Sequence, residues 1–282
     1  MAKIIVFTDL HIVPEGKTII GLDPYERLLA GVEHALRMHP NADRIVCTGD
    51  LTNRGDAVSY GRLKEILDRS HVPVRLLIGN HDERETFAQC FPDTPLDPKG
   101  FVQSAEDLGD WRMIYLDTLN APPYIFPEAY SGYLCDSRMA WLEAQLAAAG
   151  DRKVAIFMHH PPHDIGFPGM DEIKLKNGAA FYDLIGRFGN VRHIVAGHVH
   201  RTISGAHRGV AYSVFKSPCH QQPMNLDSHD LSLSVDEPAA YGILLTTPHG
   251  MIVHTEDYQI AVANALSDQD ALGAGADAAE YT

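Results

Sequence analysis

The sequence predicts an α/β domain with parallel strands joined by right-handed crossovers, and three observations carry that prediction. Short apolar runs empty into polar clusters at Thr8-Asp9-Leu10-His11, Thr48-Gly49-Asp50 and Gly79-Asn80-His81-Asp82, and each is followed by a helix-period segment. Two later runs end the same way, in His159-His160-Pro161-Pro162 and Gly197-His198-Val199-His200. From residue 203 onward the candidate strands follow one another without long helices, which predicts a second, mixed or antiparallel sheet packed on the first. Strand-loop-helix repeats of this kind use right-handed crossovers, and ligands bind off the carboxyl ends of the strands.

The elements follow in order. Residues 4–7 form an unbroken apolar run, as expected of a strand covered on both faces. Asp23-Pro24 supplies an N-cap and a proline at the first helical position; Leu28, Leu29, Val32 and Leu36 continue at helical spacing to about Met38, before Pro40. A second strand spans 44–48, Asp56 caps a helix through Tyr60, Leu63, Ile66 and Leu67, and a third strand spans 74–78. A short helix near 83–90 and a turn-rich loop at 92–98 precede a strand at 111–116. In 118–134, four Pro and Gly residues interrupt four aromatic ones; this is read either as a surface loop with its own small core or as a cap or subunit contact. Ser137 is expected to cap the next helix, through Trp141, Leu142 and Leu146. Strands at 154–158 and 193–196 flank a helix containing Phe181, Leu184, Ile185 and Phe188, stopped by Gly189. Further strands fall at 203–206, 210–214, 242–247 and 251–254. One globular domain over 1–260 is expected, with a flexible tail at 264–282 that is poor in large apolar groups.

Bulk properties narrow the function. With 23 Lys+Arg against 37 Asp+Glu, the net charge of −14 repels polyanions and argues against stable nucleic-acid binding or an acidic membrane surface. Met1-Ala2-Lys3 leads straight into a strand without the order of a signal peptide, and no apolar stretch reaches the roughly 20 residues a bilayer span needs. The four cysteines are far apart and form no metal-type pairs, so they read as reduced residues of a cytoplasmic protein.

Collected from the strand ends, Asp9, His11, Asp50, Asn80, His159, His198 and His200 make a set of imidazoles, carboxylates and one amide. Such donors suit Mn, Fe, Zn or Co, and seven of them are too many for one tetrahedral ion but about right for two ions sharing a carboxylate. Taken singly, each has a plainer reading: Asp9 as a turn former, Asn80 as a left-handed turn residue, His159 as a core histidine bonded to backbone. Their joint occurrence at the ends of parallel strands favours the metal reading, because such sheets gather those ends at one edge.

Asp9-Leu10-His11, Gly49-Asp50, Gly79-Asn80-His81-Asp82, His159-His160-Pro161-Pro162 and Gly197-His198-Val199-His200 together resemble the motif set of the calcineurin-like metallophosphoesterases. Within that superfamily the chain, over roughly 1–258, is most similar to bacterial class III cyclic nucleotide phosphodiesterases and to glycerophosphodiesterases. The resemblance implies a four-layer αββα sandwich of two mixed sheets flanked by helices. It also implies two divalent or trivalent ions, the first held by Asp9, His11, Asp50 and His200, the second by Asp50, Asn80, His159 and His198. In those families the nucleophile is a metal-bound hydroxide, and two ions about 3.5–4 Å apart clamp the phosphoryl group. His81 and Asp82 take the catalytic positions: His81 beside the phosphoryl oxygens and leaving group, Asp82 either orienting that imidazole or capping a helix. Asn80, His81 and His220 are placed on the substrate side. The expected function is hydrolysis of a small soluble phosphodiester, a cyclic nucleotide or a glycerophosphodiester, by a homodimer or higher homo-oligomer. Phosphomonoesterase, nuclease and non-catalytic scaffold are the alternatives, the last disfavoured because every motif position is filled. The pocket walls are expected from loops such as 163–176.

Overall fold

The computed structural model describes residues 1–120 and 128–259. The elements are β1 (Lys3–Phe7), α1 (Pro24–Met38), β2 (Arg44–Thr48), α2 (Ala57–Leu67), β3 (Val74–Leu77), α3 (Arg84–Cys90), β4 (Ser104–Leu108), β5 (Trp111–Leu116), α4 (Asp136–Ala149), β6 (Lys153–Met158), α5 (Pro168–Glu172), α6 (Gly178–Gly186), β7 (Val191–Ala196), β8 (Ile203–His207), β9 (Val210–Val214), β10 (Tyr241–Thr246) and β11 (Met251–Glu256). They form two mixed sheets, ordered β11-β10-β1-β2-β3 and β4-β5-β6-β7-β9-β8. β1, β2 and β3 run parallel, as do β5, β6, β7 and β9.

The period-2 alternation of β-structure explains the four layers. In β1, Ile4 and Val6 point toward the second sheet, where they join Leu77, Trp111, Met113, Phe157, Val195 and Leu244 in the inter-sheet core. Ile5 and Phe7 point the other way, onto Leu28 and Val32 of α1 and Tyr60 and Leu63 of α2. On the outer face of the second sheet, Ile114, Ile156 and Ile194 meet Leu142 and Leu146 of α4 and Phe181 and Ile185 of α6. Both faces of the central strands are therefore dry, which accounts for their unbroken apolar runs; each large side chain buried this way contributes about 1.5–3 kcal/mol.

The helix starts follow local chemistry. The side chain of Asp23 accepts from the Tyr25 amide and that of Asp56 from the Ser59 amide, as expected. α4 departs from expectation: Ser137 lies inside its first turn, and Cys135 occupies the cap position without a side-chain hydrogen bond.

Two corrections concern topology. The strands after residue 203 do not make a sheet of their own. β8 and β9 extend the sheet of β5–β7, whereas β10 pairs antiparallel with β1, Ile4 facing Leu244, and β11 closes the edge. The second sheet begins instead at β4, a strand absent from the sequence reading because Ser104-Ala105-Glu106-Asp107-Leu108 is too polar to look like one. Its polarity has a use. Glu106 accepts from Arg44 Nε at 2.9 Å and Arg75 Nη2 at 2.8 Å, and from the Tyr115 hydroxyl at 2.8 Å, tying β2 and β3 of one sheet to β4 and β5 of the other. Burial alone would raise the Glu106 carboxyl, but its hydrogen bonds from Arg44 and Tyr115 hold it below its ordinary range. The expected tail at 264–282 and the Pro-rich 121–127 part of the excursion lie outside the described residues.

Replacing Glu106 by Ala leaves two guanidinium groups facing a partly buried gap, and is expected to cost about 3 kcal/mol of folding stability. Urea denaturation measures this; an unchanged midpoint would show that the inter-sheet clamp contributes nothing.

Candidate metal centre

The site is assembled from the loops that leave β1, β2, β3, β6 and β7. Beyond the strands, the pairing of β1 with β2 continues: the amides of Asp9 and His11 donate to the carbonyls of Gly49 and Asp50 at 3.0 and 2.9 Å. The chain there turns sharply. Asp9, His11, Asp50, His198 and His200 have φ of 55°, 48°, 47°, 73° and 52°, so five of the seven positive-φ non-glycine residues among the described residues belong to this cluster. Such left-handed conformations cost about 1–3 kcal/mol each for residues with a Cβ and concentrate at functional sites. Gly79 is needed for a different reason: a Cβ there would stand 2.6 Å from both the Asp50 amide nitrogen and His159 Nε2.

All seven donors predicted from the strand ends come together, and nearly all are buried. Asp50 lies at their centre. Its Oδ1 accepts from the His81 amide at 2.8 Å, while its Oδ2 lies 3.7 Å from His11 Nε2 and 3.3 Å from His159 Nε2. Both Asp9 oxygens accept from the His198 amide, at 2.9 and 3.0 Å, and Oδ2 also accepts from Thr8 Oγ1. Asp9 Oδ1 is 3.6 Å from His200 Nε2.

The hydrogen bonds decide how the imidazoles point. His11 Nδ1 faces Asn53 Oδ1 at 3.2 Å and His200 Nδ1 faces the His220 carbonyl at 2.8 Å, so both Nδ1 atoms donate. A neutral imidazole has one N–H, and the two Nε2 lone pairs are left 3.0 Å apart, an arrangement that a cation between or beside them would relieve. His198 Nε2 is buried with no hydrogen-bond partner. The donor set thus fits metal ions, and four overlapping groups of His and Asp atoms lie within coordination reach, Asp50 belonging to two of them. His160 belongs to one such group but is engaged at both nitrogens, by Thr118 Oγ1 at 2.8 Å and the Tyr130 carbonyl at 3.1 Å, and so ties those two residues together.

His159 differs from the others. Its Nδ1 faces the Thr48 carbonyl at 3.0 Å, and its Nε2 faces both Asp50 Oδ2 and, at 3.2 Å, Asn80 Oδ1. With oxygens at both nitrogens it is an imidazolium in the metal-free protein: burial opposes the charge, but Asp50 and Asp9 overcome it and push the pKa up to about 9. Burial likewise opposes ionisation of Asp50, and His159 and His81 hold its carboxyl well below the usual range. Burial lifts Asp9 to about 7. Burial together with neighbouring histidines keeps His11 and His198 neutral; burial also lowers His200 to about 4 and, with His200 adding, His220 to about 3.

Two sequence expectations change in detail. Asp82 neither orients His81 nor caps α3. Its carboxylate accepts from the amides of Leu51, Thr52 and Gly79 at 3.0, 3.1 and 2.9 Å and from the Tyr60 hydroxyl at 2.9 Å, locking the β2 and β3 loops together; Glu83 caps α3. His81 Nδ1 donates instead to the Asn53 carbonyl at 3.0 Å. Asn53 therefore orients both His11 and His81, a role the sequence reading missed; its place three residues after Asp50 was the available signal. Ser217, also missed, donates to the Asp9 carbonyl at 2.6 Å and accepts from the Cys219 amide, which positions the loop carrying His220. Backbone acceptors such as Thr48 O carry no sequence signal at all.

A calcineurin-like phosphoesterase family model matches residues 2–202. The chain belongs to that family. Among relatives of this calcineurin-like phosphoesterase, a probable cyclic nucleotide phosphodiesterase of Rhodopseudomonas palustris is 38% identical over 254 residues, covering 89% of this chain and 91% of that protein. The 3′,5′-cyclic adenosine monophosphate phosphodiesterase CpdA of Pseudomonas aeruginosa is 32% identical, over 70% of this chain and 69% of its own length. A glycerophosphodiester phosphodiesterase, GpdQ of Enterobacter lignolyticus, is also 32% identical, over 67% and 66%. The crystal structure of a dimetal phosphatase from Danio rerio shares the fold with a TM-score of 0.67 at 16% identity, covering 90% of this chain and 95% of that one. No helix among the described residues is long and apolar enough to cross a membrane.

A metal ligated by His159 would have to displace its proton, so if His159 is a ligand, binding releases about one proton near pH 7.5 and tightens as pH rises toward about 9. Titration calorimetry of metal into the metal-free phosphoesterase, in buffers of different ionisation enthalpy, reads this directly; a buffer-independent heat would contradict the imidazolium assignment.

Proposed function

We propose that this protein is a binuclear metal-dependent phosphodiesterase acting on small soluble phosphodiesters, a cyclic nucleotide or a glycerophosphodiester. The observation that carries the reading is the position of Asp50 Oδ2 between His11 and His159, with Oδ1 already taken by the His81 amide. In this reading Asp9, His11, Asp50 and His200 hold one ion, and Asp50, Asn80, His159 and His198 hold the other. The N/O donor set accepts Mn, Fe, Zn or Co. When bound, such ions neutralise the charge of a phosphodiester and make water a competent nucleophile near neutral pH.

The chain's own groups supply the rest. Neutral His11, His198 and His200 present lone pairs rather than competing N–H groups to the centre. His81 lines the cavity, and because Nδ1 is spent on the Asn53 carbonyl, Nε2 is the nitrogen available to a substrate. Protonated, it donates to the departing alkoxide oxygen and keeps the proton off solvent. His220 lines the same cavity and so stands on the substrate side of the centre.

A cytoplasmic, homo-oligomeric protein is part of the proposal. All four cysteines are unpaired, Cys47 and Cys219 in buried positions, as expected of a reducing compartment. Tyr130 and Tyr133 are large apolar side chains left 40% and 42% exposed on the excursion, where a subunit contact would cover them.

Asp50→Ala should lose both ions together, His11→Ala mainly the first and Asn80→Ala mainly the second, as measured by elemental analysis after desalting. An Asp50 variant that keeps two tightly held ions would overturn the bridging role. His81→Ala should lower kcat on phosphodiesters by about 10²–10⁴-fold with metal content intact; loss of metal in that variant would make His81 a ligand instead. A panel of cyclic nucleotides, glycerophosphodiesters, aryl monoesters and oligonucleotides, assayed on metal-loaded protein, separates the diesterase reading from a phosphomonoesterase or nuclease.

A further inference from the structure

The ligand cluster occupies only one part of a cavity of about 640 Å³, a size suited to a ligand much larger than a bare phosphate. The apolar and aromatic side chains lining the rest are Ile19, Tyr130, Met170, Ile173, Leu231 and Leu233. Part of this apolar lining forms where α5 meets the long β9–β10 loop. The Gly169 amide donates to the Ser228 carbonyl at 3.4 Å, a Cβ on Gly169 would collide with Leu231 Cδ2, and His229 Nδ1 lies 2.7 Å from Glu172 Oε1. The base of the loop is fastened by the paired amides and carbonyls of Gln221 and Val235 and by Arg201 on Glu237 at 2.7 Å, so the leucines are held in place.

The charges of the lining are as informative as its apolar groups. Among the described residues no lysine or arginine contributes to it, and its ionisable groups outside the His and Asp cluster are Glu172, Asp230 and His229, the last paired with Glu172. A second phosphate or a free carboxylate would meet carboxylates there with no lysine or arginine to compensate them. A glycerol or amino-alcohol ester would leave the leucines and Met170 unused. A flat heterocycle, apolar on its faces and polar at its edge, matches leucine, methionine and tyrosine side chains interleaved with Ser234 and Gln222.

We propose that this wall, Met170 on α5 and Ile173 just after it with Leu231 and Leu233 on the β9–β10 loop, is the specificity determinant of the site and holds the nucleobase of a substrate bearing a single phosphate. The inference rests on the phosphodiesterase reading above and narrows it to nucleotide esters.

Titration calorimetry on the metal-loaded protein tests it independently of turnover, with AMP, ADP and inorganic phosphate as probes, alongside kinetics on 3′,5′-cyclic AMP and glycerophosphoethanolamine. The wild type should bind AMP about tenfold or more tighter than inorganic phosphate, and ADP no tighter than AMP. The double variant Met170→Ser, Leu231→Ser should weaken AMP about tenfold, leave phosphate binding unchanged, and raise KM for cyclic AMP with little change in kcat. Equal loss of AMP and phosphate affinity, tighter binding of ADP than AMP, or a preference for glycerophosphoethanolamine that survives the substitutions would each overturn the proposal. Absence of turnover on every diester, with the base-dependent affinity intact, would sink the phosphodiesterase reading while supporting the nucleobase wall.

Discussion

The rest of the centre depends on how one carboxylate is held. Asp50 sits in a left-handed turn at the end of β2, with one oxygen committed to the His81 amide and the other facing two imidazoles. The amide takes one oxygen, which leaves the second facing the imidazoles that follow β1 and β6. Gly79 makes this possible by lacking the atom that would fill the space, and Asp82 binds the two loops from beneath through three backbone amides. Few side chains touch a metal in such a site; many more are spent on holding those few.

That arrangement is costly by itself. Five left-handed non-glycine residues and a cluster of buried ionisable groups oppose folding by several kcal/mol. The inter-sheet core offsets this, because the strands that carry the donors are also the ones with both faces covered. The electrostatic cost is reduced internally: Asp50 and Asp9 charge His159, and His159 in turn keeps Asp50 ionised. The protein therefore satisfies its buried carboxylates in part with the proton held on His159.

The two halves of the cavity follow different physics. At the strand ends, polar groups are aimed by backbone hydrogen bonds and tolerate little change. On the α5 side, the wall is apolar and built from loop residues whose packing can vary without disturbing the centre. On the proposed reading of that wall, substrate range is separable from chemistry, consistent with relatives named for different phosphodiesters at similar identity.

Most of the chemistry was legible in the sequence. Asp9, His11, Asp50, Asn80, His159, His198 and His200 each follow an apolar strand, and strand ends of parallel sheets converge for any sequence that folds this way. The caps at Asp23 and Asp56 were equally readable, being local hydrogen bonds within a few residues. What only the tertiary structure decided is whatever depends on partners distant along the chain. β10 joins β1 because Leu244 and Ile4 share the inter-sheet core, and β4 is a strand because Glu106 meets arginines about 30 and 60 residues away. Asp82 serves three amides in two loops, Asn53 aims two imidazoles, and His159 is charged through carboxylates from two other strands. Sequence periodicity reports which face of an element is buried; it carries no information about which distant donor, acceptor or charge will be waiting there.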